Sequence, residues 1–97
     1  MSNDIDRAFY DRADAHIHLA NSQVDGVGRG KVSASMMYAN ARFSAWLSAT
    51  WCQSAEDMQM RREENIAYFV EQFQKMLDEN YDDYADNFET YMDNRNG

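Results

Sequence analysis

Apolar residues recur along this chain at intervals of three and four, and no stretch alternates in the manner of a strand. The spacing predicts an all-α protein. A first helix is expected over about residues 4–24, aligning Ile5, Phe9, Ala13, Ile17 (or His16), Ala20 and Val24. Asn3 is its expected N-cap, with Asp4 and Asp6 near the positive helix end. Residues 25–30 hold all the internal glycines (Gly26, Gly28, Gly30) and read as a flexible linker.

A second helix is expected over about residues 31–52. It is rich in small residues, including Ser33, Ala34, Ser35, Ala39, Ala41, Ser44, Ala45, Ser48 and Ala49. Its large apolar residues, among them Met36, Met37, Phe43, Trp46, Leu47 and Trp51, lie on more than one side. A helix apolar nearly all round is usually central and buried. Asn40 and Arg42 would then be buried polar groups, and Arg42 would need a carboxylate from another helix, because its own helix offers none.

Ser54-Ala55-Glu56-Asp57 reads as a fresh helix start, with Ser54 as cap and Asp57 completing a shortened capping box. A helical pattern then continues to about residue 93. Its apolar line is Ile66, Phe69/Val70, Phe73, Met76/Leu77, Tyr81, Tyr84, Phe88 and Tyr91/Met92; Asn80 or the Asp82-Asp83 pair is where a bend is expected. Asp57–Arg61 and Glu71–Lys75 are acid-before-base pairs that support such a helix. Unbroken, residues 55–93 would span roughly 58 Å, against roughly 30 Å for each earlier helix. Two short helices cannot cover the long one. The expected architecture is therefore a three-helix up-down arrangement with a long C-terminal helix, completed by oligomerisation. Tyr81, Tyr84, Phe88 and Tyr91 are the expected oligomer interface, in an assembly built from two-fold dimers.

Composition narrows the function classes. The 97 residues allow one domain, and 44% hydrophobic content is enough for a packed interior. No run is apolar enough to span a membrane; the best, residues 33–52, is broken by Asn40 and Arg42. The chain opens Met1-Ser2-Asn3-Asp4, without a basic and then apolar leader, which predicts a cytoplasmic protein. The single cysteine, Cys52, excludes an internal disulfide and reads as a small core residue.

The formal charge of −8 falls wholly in the second half. Residues 1–53 balance five bases against five acids, and residues 78–93 carry seven acids and no base. Such a surface repels phosphate backbones, which excludes nucleic acid and leaves a basic protein partner as one alternative.

Chemical motifs are sparse. Asp14 and His18, four apart, share a helix face and are weak metal-ligand candidates, with Asp11 and His16 nearby. The histidines at 16 and 18 point to nearly opposite sides of a helix, which counts against a shared ion. Asp78, Asn80, Asp82, Asp86 and Glu89 match the oxygen spacing of a calcium loop, but Asp83 stands where the turn needs glycine, so a helix is expected. The glycine segment before Lys31 departs from a phosphate loop at Asp25 and Val32. No catalytic motif and no cofactor motif is found, which predicts a non-enzymatic protein.

Several ordered blocks resemble a family of short, all-helical proteobacterial proteins classed only as a domain of unknown function. They are Phe9-Tyr10-Asp11-Arg12-Ala13-Asp14-Ala15-His16-Ile17 with Ala20-Asn21, and Lys31-Val32-Ser33-Ala34-Ser35 with Tyr38-Ala39 and Ala41-Arg42-Phe43. Phe69-Val70-Glu71-Gln72-Phe73 with Met76-Leu77-Asp78-Glu79-Asn80 continues the match, so it covers nearly the whole chain. The resemblance implies a bacterial, cytoplasmic, helical protein and brings no activity and no site residues. The expected function is a homo-oligomeric interaction module. The alternatives are a small-ligand or metal-binding protein using Asp14, His16, His18 and Arg42, and an acidic regulator of a basic partner using Asp82, Asp83, Asp86 and Glu89.

Overall fold

A computed structural model describes residues 6–93. Every regular element among them is helical: α1 (Phe9–Val24), α2 (Arg29–Thr50), α3 (Ala55–Met60), α4 (Arg62–Asp86) and α5 (Phe88–Met92). The chain divides into two compact units, Met1–Trp46 and Leu47–Gly97.

In the first unit, α1 begins later than residue 4. The Asp6 carboxylate accepts a hydrogen bond from the Ala8 amide (2.9 Å), and the Asp6 carbonyl accepts from the Phe9 amide (3.0 Å). Asp6 thus closes a turn ahead of the helix, its carboxyl held below the usual range by the Ala8 amide and then by Arg12. The expected cap Asn3, with Asp4 and Ile5, lies outside the described residues.

The glycine segment is an ordered turn. Asp25 (φ −64, ψ 124) followed by Gly26 (φ 88) forms a type II turn, closed by a 3.2 Å bond from the Val27 amide to the Val24 carbonyl. Gly28 also has positive φ (102), and its amide reaches the same carbonyl at 2.8 Å. A side chain at either glycine would be strained by the backbone alone. Gly30 is helical, so α2 starts at Arg29 and is not delayed to Lys31. Ala20 and Val32, on either side of this turn, are the buried apolar residues of the unit.

In the second unit, Ser54 Oγ accepts from the Asp57 amide at 3.0 Å, as a cap should. Asp57 reaches back one residue beyond the cap and accepts from the Gln53 amide at 3.0 Å. Its other oxygen accepts from Arg61 Nε at 2.9 Å, the expected acid-before-base pair. The Arg61 guanidinium and the Gln53 amide together hold the Asp57 carboxyl below its usual range.

The long C-terminal helix is interrupted twice. Arg61 (φ −95, ψ 5) separates α3 from α4, and Asn87 (φ −120, ψ 33) separates α4 from α5. The bend expected at Asn80 or Asp82-Asp83 does not occur there. Asn80 stays helical by donating from its side chain to the Met76 carbonyl (2.8 Å), whereas Asn87 donates to both the carbonyl and the carboxylate of Asp83 (3.0 Å each). The second break therefore sits where an asparagine amide competes with the helix ladder. What remains continuous is α4, 25 residues or about 37 Å.

Candidate interaction surface

Helix α4 carries one apolar stripe. Ile66, Phe69, Val70, Phe73, Met76, Leu77, Tyr81 and Tyr84 recur at three- and four-residue steps, so they share a face. Within its own unit that face is covered only near its start, where Trp51 stacks on Phe69 with ring centroids 6.4 Å apart and planes 3° from parallel. Beyond Phe69 the stripe stands open. Phe73 is 48% exposed, Leu77 50% and Tyr81 72%. Isolated exposed apolar residues are ordinary, but a contiguous row along one face marks an interaction site.

The far end of the stripe is shaped by α5. Tyr91 folds back so that its ring stacks on Tyr84 (centroids 4.3 Å, planes 26° apart), and its hydroxyl donates to the Asp83 carboxylate at 2.8 Å. That bond favours the neutral phenol and raises the Tyr91 pKa above its ordinary value. Tyr84, Phe88 and Tyr91 nonetheless remain 45–50% exposed. Of the four expected interface rings, Tyr84 and Tyr91 are therefore brought into contact with each other, and Tyr81 is the most open.

Acids stand at both ends of the same helix, Glu63 and Glu64 in its first turn beside Arg62. Arg62 stands four residues before Ile66, at the start of the stripe, and makes no ion pair among the described residues. Asp78, Glu79, Asp82, Asp83, Asp86 and Glu89 crowd the other end, all exposed. The last turn of α4 contains no base, so its acids lie beside the negative end of the helix dipole uncompensated by their own helix.

The other candidate residues are scattered. Asp11, Asp14, His16 and His18 are exposed on α1, and no group of three potential metal ligands is assembled among the described residues. The segment with calcium-loop spacing is helical through Asp86, which removes the loop such a site needs. Asn40 and Arg42 are exposed, which corrects their expected burial. The Arg42 guanidinium makes no ion pair among the described residues, and Asn40 accepts a long 3.4 Å bond from Ser44 Oγ on its own helix. Ala39, Arg42, Phe43, Ala45 and Trp46 line an open depression on α2. The buried polar residue of this helix is Ser48, which apolar periodicity does not single out.

Two features escaped the sequence pattern. The Asp83–Asn87–Tyr91 cluster was visible as polar and aromatic groups four apart, but they were absorbed into a continuous helix. Arg62 was visible as a base at the head of the stripe, and only the open geometry beside it gives it significance.

The sequence pattern of a family described as "Protein of unknown function (DUF3144)" matches residues 9–85. Among solved structures, the NMR structure of the protein NB7890A from Shewanella sp. is similar to this chain, at 40% sequence identity and a TM-score of 0.74. The similarity covers 92% of this chain and 95% of that one. No protein with a curated description matches.

Proposed function

We propose that this chain, which belongs to the family described as protein of unknown function (DUF3144), works as a self-associating helical module. In this reading it is a non-enzymatic, cytoplasmic bacterial protein whose helices are completed by a second copy. One observation carries the reading: the apolar stripe of α4 is left open along most of its length by its own unit. Water-exposed rings and aliphatic chains in a continuous row favour association, at about 25 cal/mol for each Å² of apolar surface removed from water. Light scattering coupled to size-exclusion chromatography, over a wide dilution series, tests it. The expected result is a mass of at least two chains at the concentrated end; a mass of 11.3 kDa throughout rejects the reading.

A second reading has its own support in the exposed acids at residues 78–89. There the chain regulates a basic protein through Asp82, Asp83, Asp86 and Glu89. Such a complex weakens as salt rises, because screening acts on exposed charges. Capture from lysate that is indifferent to salt rejects it.

A further inference from the structure

Resting on that self-association, we infer that the α4 stripe beyond Phe69 is the core of a pair of copies, and that residues 70–92 are helical only while a second copy covers it.

The segment is poorly built to be helical by itself. Most helical stability in water comes from packing an apolar face and not from propensity. From Val70 to Met92 no apolar residue is buried. The charges add to the difficulty. Asp78–Asp82, Glu79–Asp83 and Asp82–Asp86 are like charges four residues apart, each destabilising the helix that aligns them. They lie toward the negative end of the helix dipole, and the last turn of α4 holds no base. The side-chain bonds made by Asn80, Asn87 and Tyr91 are local and exposed. The earlier part of the unit is better founded, because Ser54 and Asp57 cap it and Trp51 covers Phe69. Residues 55–69 therefore stand without a second copy, and residues 70–92 do not.

Size and composition point to a second copy as the cover. The eight large apolar residues from Val70 to Tyr91 are 45–72% exposed. At about half exposure each offers roughly 100 Å², so the face comes to roughly 800 Å². That is about what one partner contributes to a stable interface of ordinary size. The line is apolar and aromatic throughout, as in homodimer interfaces, which are more apolar than those between independent proteins.

Charge opposes this pairing without preventing it. Residues 62–93 carry ten acids and two bases, and acids stand at both ends of α4. Either orientation of the two helices therefore sets acid near acid. Salt screens that repulsion, so ionic strength strengthens the pair and with it the helix. A basic partner on the same face would respond in the opposite sense.

Hydrogen–deuterium exchange of the full chain, read by mass spectrometry along a dilution series, tests the inference beside light scattering at the same concentrations. As the mass falls from two chains to one, amide protection at residues 70–92 should fall at least about tenfold, while that at residues 59–69 changes by less than about twofold. Protection at residues 70–92 that survives in the single chain overturns the inference and leaves self-association intact. Equal loss in both segments also overturns it, because the whole unit then folds on pairing. Single-chain mass at every concentration removes self-association itself.

Salt and one substitution give an independent test. Association should tighten about tenfold between about 0.05 M and about 0.5 M sodium chloride. Asp82→Asn, which removes two of the like-charge pairs, should tighten it about threefold at the lower salt and less than about twofold at the higher. Weakening by salt contradicts apolar pairing against like charge and gives the face to a basic partner.

Discussion

Helices α2 and α4 are nearly equal in length, 22 and 25 residues, yet their surfaces differ in kind. In α2 the large residues Met36, Met37, Tyr38, Phe43 and Trp46 spread around the cylinder among alanines and serines, and most are exposed. In α4 the apolar residues form one stripe and the charges occupy the rest. A helix of the first kind has no preferred side and is satisfied only by enclosure. A helix of the second kind has a direction and is satisfied by one partner. The comparison teaches that apolar content says how much surface wants cover, while its distribution says whether a single contact can provide it.

The largest effect is expected from placing a charge in the middle of the α4 stripe. Phe73→Asp should weaken association by at least about a hundredfold, as central hot-spot changes do. The matched change on α2, Trp46→Asp, should alter association by no more than about threefold, the scale of a peripheral contact. Sedimentation equilibrium measures both. Equal losses would erase the distinction between the two helices.

Next comes the one place where the stripe is sheltered within its own unit. Trp51→Ala removes the ring over Phe69 and should cost about 1–3 kcal/mol in denaturant unfolding, less than a fully buried tryptophan because Trp51 is 52% exposed. An unchanged midpoint would mean that the stack contributes nothing and that the stripe is open from its first turn.

A smaller loss, about 1 kcal/mol, is expected when the cap is removed by Ser54→Ala. Helicity by circular dichroism and the denaturation midpoint report it, and the change should leave association intact.

The smallest effect is a pH dependence at the same helix start. Arg61 and the Gln53 amide favour the charged form of Asp57, so its folded pKa lies below the unfolded value. The stabilisation is present above the ordinary carboxylate range and is lost as pH falls through the depressed folded value. The protection of the Gln53 amide, its exchange rate by NMR relative to the intrinsic rate at each pH, should fall on acidification, and Asp57→Asn should abolish that dependence. Acceleration on raising pH beyond the intrinsic base-catalysed rate would contradict the sign.

Local features were legible because local physics decides them. Ser54 and Asp57 cap a helix wherever they stand before one, and Asp57 meets Arg61 because four residues make one turn. The glycine breaker was legible in position but not in shape: composition marks residues 25–30 as irregular, whereas the positive φ of Gly26 and Gly28 makes an ordered turn. The break at Asn87 was not legible. Asn80 and Asn87 are the same residue in similar surroundings, and one stays in the helix while the other ends it. What separates them is the return of Tyr91 onto Tyr84 and Asp83, a contact seven to eight residues long that no periodicity describes.

The sequence by itself determined the helical class, the stripe of α4, the acidic run at its C-terminal end and the family to which the chain belongs, because each depends on residue order over a few turns. Only the tertiary structure decided that Arg42 and Asn40 are exposed, that α4 ends at Asp86, and that its own unit leaves the stripe uncovered beyond Phe69. Burial is a property of what lies opposite a side chain. A linear pattern can show that a face is apolar, but its exposure depends on which other elements reach it.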